Sequence, residues 1–376
     1  MKNILVILGT RPEAIKLAPV ILELRKYSEF NVLVCNTEQQ KELSNQTLDF
    51  FGIKADFNLD VMCPNQTLAG VQSRILNSLS DVYQNNHIDA TIVQGDTMTV
   101  FCGALVSFYN KVPVFHVEAG LRSYNLFEPF PEEAMRQMTT RITDLHFAPT
   151  QKAYDALIKE NISKDKIFLT GNTVIDALSC LSAGTMEKAL LNLQSLGIEL
   201  NDKLVLITAH RRENHGKRLD SILSALAKLT QKFSDHQFVF PVHPNPNVHN
   251  KVYAALENLP NVILTKPLDY PELVCLMQNT KLVLTDSGGI QEEAPTFGNP
   301  VLVMRYETER TEGVDAGFAK LVGTDEDKIL HEAEKVLNRT KAETRLDGSK
   351  NPYGDGNAAE KITTTVKEFF YENNIY

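Results

Sequence analysis

Residues 6–20 read VILGTRPEAIKLAPV. An apolar run ends at Gly9, and Thr10, Arg11 and Pro12 follow at once, with Lys16 a turn further on. The residues before the glycine, NILVIL (3–8), are strand-like. After it, Ala14, Ala18, Ile21 and Leu22 recur near helical spacing, and Pro12 suits the first helical position. The stretch therefore reads as strand, tight turn, helix. It also sets a glycine and two cations at the mouth of the turn.

The same theme repeats along the chain. NVLVC (31–35), ATIVQ (90–94) and VPVFHV (112–117) are strand-like, and each precedes a plausible helix. The second half offers KLVLITAH (203–210), QFVFPVH (237–243), NVILTK (261–266), KLVLTD (281–286) and PVLVM (300–304). Continuously apolar strands alternating with helices predict α/β structure, with parallel sheets covered on both faces. At 376 residues, two domains are the default. The boundary is expected near Gly171, giving an N-terminal α/β domain over 1–170 and a second over 171–356. A last helix over 357–376 is expected to cross back to the first.

Composition narrows the function. The formal net charge is −9, and the apolar and charged fractions are 43% and 23%, ordinary values for a soluble globular protein. Mild acidity disfavours nucleic acid as a partner. No apolar stretch approaches the ~18 residues of a membrane span, and the first eight residues are too short for a signal peptide. Five scattered cysteines without a CxxC spacing read as reduced thiols of a cytoplasmic protein, with no disulfide frame and no metal site.

Ligands of open α/β sheets sit beyond the carboxyl ends of the strands, and polar residues crowd there. Asp96 follows 90–94; Glu118 and Arg122 follow 112–117; His210, Arg211 and Arg212 follow 203–208; His243 follows 237–242. Taken alone, most have plain explanations. Asp96 ahead of Thr97 reads as a helix N-cap, His116 as a strand histidine, and TERTEG (308–313) as a solvated charged turn. His87 and His146 carry no functional signal. Taken together, the strand ends of both halves carry reactive or anion-binding groups, so the ligand is expected in a cleft between the domains.

TDSGGIQEEAP (285–295) is the most specific signal of the second half. Ser287, Gly288 and Gly289 would open a helix whose N–H groups can approach a phosphate. Glu293, a little over a turn on, suits the paired hydroxyls of a ribose. Neither a Walker A loop nor the dinucleotide fingerprint GxGxxG follows the first strand, so NAD is disfavoured and no cofactor is expected.

GTRPEAIKLAP, QGDTMTVF, HVEAGLRS, PFPEEAMRQ, TGNTVIDAL, HRREN, PVHPNPNV, DSGGIQEEAP and NPYGDG, in this order from residue 4 to about residue 360, resemble the bacterial non-hydrolysing UDP-N-acetylglucosamine 2-epimerase family. The resemblance implies a GT-B arrangement of two Rossmann-like domains, a homodimer, and interconversion of UDP-GlcNAc and UDP-ManNAc. In it, Asp96, Glu118 and Glu132 handle protons and stabilise positive charge at C1, while His210 and Arg11 assist the departing diphosphate. Lys16, His243, Ser287, Gly288, Gly289, Glu293 and Arg310 match positions that hold UDP. Chemistry agrees, because C2 of the sugar has no neighbouring carbonyl. Inversion there needs either NAD or temporary loss of the anomeric leaving group through 2-acetamidoglucal.

The chain also departs from the family pattern. Many relatives read TGQH where it has Thr37-Glu38-Gln39-Gln40, and Glu42 and Asn65 replace a Gln and an Arg. Of that group, which lines an activating UDP-GlcNAc site in the family, Gln39 is kept. Leu273 replaces a Phe near the base. Three other readings share features of this sequence. They are a GT-B glycosyltransferase, which needs an acceptor; a nucleotide-sugar-binding regulator; and a hydrolysing epimerase that releases free ManNAc.

Overall fold

The computed structural model describes residues 1–372. Two compact units emerge, one from Met1–Cys180 together with the segment from Tyr353 onward, the other from Leu181–Pro352.

The first unit is built on a seven-stranded sheet in the order β3-β2-β1-β4-β5-β6-β7. The strands are β1 (Lys2–Leu8), β2 (Phe30–Asn36), β3 (Phe57–Asn58), β4 (Ala90–Gln94), β5 (Val114–Val117), β6 (Leu145–Ala148) and β7 (Ile167–Leu169). All pairs are parallel, with Ile7 opposite Cys35 and Ile92 opposite Phe115. Ile4 to Leu8 are fully buried, as a strand covered on both faces must be. Parallel neighbours need a crossover, and helix α1 (Arg11–Leu24) supplies the first, with Thr10 at its N-cap.

The second unit repeats the plan with six parallel strands in the order β10-β9-β8-β11-β12-β13. They are β8 (Leu204–Thr208), β9 (Gln237–Pro241), β10 (Val262–Thr265), β11 (Leu282–Thr285), β12 (Val301–Val303) and β13 (Ala319–Leu321). Its core gathers Val205, Ile207, Phe238, Phe240, Leu282 and Leu284 with the inward faces of the helices Lys217–Lys232 and Glu326–Leu337.

The apolar runs predict nine of these strands. The others, β3, β6, β7 and β13, have two to four residues each. The unit boundary also differs from the expected Gly171. Helix Thr173–Cys180 packs on α1 and on the final helix, Ala358–Glu372. The Asp176 carboxylate accepts Ala359 N–H at 2.8 Å, and Asn172 N–H donates to Tyr353 O at 2.7 Å. These bonds bring the chain back to the first unit at Tyr353 rather than at 357. Phe369 meets Phe115 edge-on, with ring centroids 5.0 Å apart. Residues 373–376 of the expected last helix lie outside the described residues.

Candidate active site

In the first unit the turn after β1 is locked by a buried acid. Both Gly9 N–H and Thr10 N–H donate to Glu13 Oε2, at 2.7 and 2.8 Å, and Thr97 Oγ1 donates to Oε1. Glu13 thereby ties the turn bearing Arg11 to the turn bearing Asp96. Gly9 is required at this place, since a Cβ there would stand 2.0 Å from Thr37 Oγ1. The Arg11 side chain is exposed, and its backbone N–H donates to Gln40 Oε1 at 3.1 Å. Gln39 Oε1 accepts from Thr99 Oγ1 at 3.0 Å.

Burial pushes the Glu13 carboxyl up to about 7, against the pull of its hydrogen bonds. The native state therefore holds a proton that the unfolded chain releases near 4.5, and stability falls as pH rises from about 4.5 to 7. Gln in place of Glu13 can accept from Gly9 and Thr10 and meet Thr97 through its amide. Glu13→Gln is expected to gain stability over the parent across this window, by on the order of 3 kcal/mol above pH 7. Denaturation midpoints measured from pH 4 to 8 check this, and an advantage independent of pH would refute it. Two histidines act in the opposite sense. Burial pushes His116 down to about 4 and His146 to about 3, so their contribution is complete above 6.5 and is lost as pH falls.

Of the predicted acids, Asp96 and Glu118 lie at the ends of β4 and β5. The helix Met98–Tyr109 is capped by Thr97, whose Oγ1 accepts Val100 N–H. The plain capping explanation thus belongs to Thr97 and not to Asp96. Asp96 instead pairs with Arg136, which also reaches Glu133 at 3.1 Å. Burial would raise the Glu133 carboxyl, but donation from Ser123 N–H, Gln137 and Tyr124 N–H, with the Arg136 charge, holds it below its ordinary value. Glu132, its neighbour on the same first helical turn, is half-buried.

Glu118 follows β5 with φ +64°, a left-handed conformation that costs a non-glycine residue energy and clusters at functional sites. Lys16 Nζ lies 2.7 and 2.8 Å from its two oxygens, and Gln94 Nε2 also donates to it. Lys16, expected on a phosphate, is thus placed on the Glu118 carboxylate. Arg122 is not an anion-binding group. Its guanidinium is spent on Glu160 at 2.6 and 3.1 Å and on Thr140 at 2.8 Å. His116 keeps its structural reading, with Nε2 2.7 Å from Gly95 O.

In the second unit His210 follows β8, and Asp286 follows the neighbouring β11. Asp286 accepts His210 N–H at 2.9 Å and Arg211 N–H at 2.9 Å, and His210 Nδ1 lies 3.3 Å from Oδ1. The His243 ring stacks on that of His210, centroids 5.7 Å apart and 12° from parallel. The side chain of Arg212 lies outside what is described. Ser287 takes the N-cap position of a short helix, Gly288–Glu293, which opens where the sequence predicts. Arg310 lies against Gly288, where a Cβ would meet its Cζ at 3.0 Å, and its Nε donates to Glu292 at 3.0 Å. Glu293 Oε1 stands 3.6 Å from the place a Gly289 Cβ would take. Ser287, Gly288, Gly289, Glu293 and Arg310 therefore meet in one patch of backbone N–H groups, a guanidinium and a carboxylate. TERTEG is more than a solvated turn: besides Arg310 on Glu292, it places Glu309 on Arg305 at 3.1 Å.

Glu13, Gln94, Arg136, Asp286 and Glu292 carry no role in the sequence reading. Asp286 and Gln94 border strand ends and were within reach of that logic. Arg136 and Glu292 become legible only through partners far along the chain. Among the described residues, no group of three or more His, Cys, Asp or Glu is arranged to hold a metal ion.

Two parallel α/β units whose strand ends carry carboxylates in one and a glycine-rich turn beside a guanidinium in the other define a class, doubly wound α/β proteins that bind ligands beyond the carboxyl ends of their strands. A family model described as UDP-N-acetylglucosamine 2-epimerase matches residues 22–367. The UDP-N-acetylglucosamine 2-epimerase of Neisseria meningitidis is 44% identical over 97% of this chain and 99% of its own. That of Bacillus subtilis is 45% identical over 96% and 93%. A crystal structure of the N. meningitidis enzyme bound to UDP-GlcNAc superposes with a TM-score of 0.86, at 43% identity over 98% of this chain and 100% of that one. The chain belongs to the UDP-N-acetylglucosamine 2-epimerase family.

Proposed function

We propose that the protein interconverts UDP-GlcNAc and UDP-ManNAc without hydrolysis. A carboxylate takes the C2 proton, the C1–O bond breaks with its electron pair leaving on UDP, and 2-acetamidoglucal forms. A proton then returns to C2 from the opposite face as a UDP oxygen rebonds to C1. The observation that carries this reading is Glu118: an acid held in a strained backbone conformation at a strand end, with a lysine counter-charge and a glutamine donor fixing its oxygens. Asp96 and Glu132 share the proton handling and stabilise charge at C1. The Ser287–Gly288–Gly289 turn with Arg310, His243 and Glu293 suits a uridine diphosphate and its ribose. His210 and Arg11 assist the leaving diphosphate, and Lys16 acts first through Glu118. The reading includes a homodimer and a cytoplasmic enzyme. Five free cysteines fit a reducing compartment, and among the described residues no helix is long and apolar enough to cross a membrane.

UDP-GlcNAc alone in D₂O, without NAD, is expected to yield UDP-ManNAc carrying deuterium at C2, followed by NMR. Free ManNAc as the main product would establish the hydrolysing reaction. Turnover only with an added sugar acceptor would establish a transferase, and binding without turnover a regulator.

A further inference from the structure

Burying a carboxylate is costly unless hydrogen bonds repay its lost hydration, so a fully buried acid beside a candidate catalytic histidine calls for a reason. Asp286 is fully buried at the end of β11. Its oxygens accept from His210 N–H, Arg211 N–H and, at 3.0 Å, Asn214 Nδ2. Asn214 is itself buried and anchored by donation to Met304 O at 3.1 Å. The strands beneath are pinned in register, Thr208 opposite Thr285, with their hydroxyls 2.6 Å apart. The acid is thus held rigidly, and it stands 3.3 Å from His210 Nδ1.

We propose that Asp286 is the positioning residue of His210. Taking the Nδ1 proton as a hydrogen bond fixes the ring's tautomer and orientation, because the two ring nitrogens lie on opposite edges. The stacked His243 ring restricts rotation further. Nε2 is left on the edge away from Asp286, and the side chain keeps 37% exposure. With Nδ1–H held by Asp286, Nε2 is the ring's basic nitrogen; the proton that the ring takes up sits there, and Nε2–H donates to the diphosphate oxygen that receives the C1–O electron pair and keeps that hydrogen bond until the oxygen rebonds. Asp286 from the β11 end and His243 from the β9 end face the ring, with Arg211 adjacent on its own segment. The inference rests on the reading of His210 as the group that assists the departing diphosphate.

The test combines ¹⁵N NMR of histidine-labelled enzyme with kinetics. At a pH where the ring is neutral, His210 in the unmodified enzyme is expected to carry its proton on Nδ1. Asp286→Asn should mix the two tautomers and lower kcat on the order of 10²-fold, with KM changed less than about threefold. In an enzyme already carrying His210→Asn, adding Asp286→Asn should cost less than about twofold. Either a bare Nδ1 in the unmodified enzyme, or an equal loss with and without His210, overturns the proposal. The first measurement needs no variant, so a misfolded Asp286→Asn leaves it decisive. Absence of epimerisation by the unmodified enzyme sinks the proposed function without altering the tautomer.

Discussion

Replacing Glu118 with Gln is expected to lower kcat by about 10²–10⁴-fold, the usual worth of a positioned general base, while UDP still binds. The side chains are nearly isosteric, so the change removes proton affinity and little volume. The glutamine oxygen can still accept from Lys16 or Gln94, which lie on the carboxylate in the parent. Lys16 is itself buried, so the neutral amide weakens the charge pairing of a buried ammonium, and some stability is lost with the activity. The two losses are separable. UDP affinity measured by calorimetry, together with a folded circular dichroism spectrum, shows that the protein is intact. Steady-state kcat and the rate of deuterium entry at C2 then report the chemistry. Turnover within about threefold of the parent would remove Glu118 from the proton transfer and pass the role to Asp96 or Glu132.

The largest effect on stability is expected two residues further on. Gly120 has φ +92°, and a Cβ there would stand 2.3 Å from Ala153 O and 2.8 Å from its carbonyl carbon. Left-handed backbone costs an alanine roughly 1–2 kcal/mol. The overlap adds to it, because its partner is main chain and no rotamer change can relieve it. Gly120→Ala should therefore lose roughly 3 kcal/mol or more, read as a lowered urea midpoint. Gly52→Ala is the matched control: its φ is +66°, and nothing lies within 4 Å of the new methyl. It should show the backbone part alone, about 1 kcal/mol. Equal losses at the two glycines would mean that the turn after Glu118 yields to the methyl group. Because Gly120 closes the turn that Glu118 opens, a folded Gly120→Ala protein should also lose activity.

The two units differ in how their sites are made. In the first, charge meets charge: Lys16 on Glu118, Arg136 between Asp96 and Glu133. Such pairs hold acids in defined places. In the second, backbone amides and glycines dominate around Ser287, where a phosphate can approach closely. The division matches the chemistry proposed, since proton transfer needs side chains of tuned charge whereas diphosphate binding needs many donors at short range.

The sequence by itself determined the α/β class, most strands, the glycine turns and the family, because these rest on local patterns. Apolar runs, helix starts and contiguous motifs are properties of neighbours along the chain. What it left open was which charge meets which. Lys16 and Glu118 are 102 residues apart, His210 and Asp286 76, and Arg136 and Asp96 40. The His210–Asp286 pairing follows from β8 and β11 lying side by side and ending together, and Lys16, Asp96 and Glu118 follow the adjacent strands β1, β4 and β5, while Arg136 reaches Asp96 from the helix Glu132–Arg141. The side-by-side strand ends also set Lys16 on Glu118 and Asp286 beneath His210. A charge's partner is fixed by distance in space, and that distance follows strand order in the sheet rather than separation along the chain.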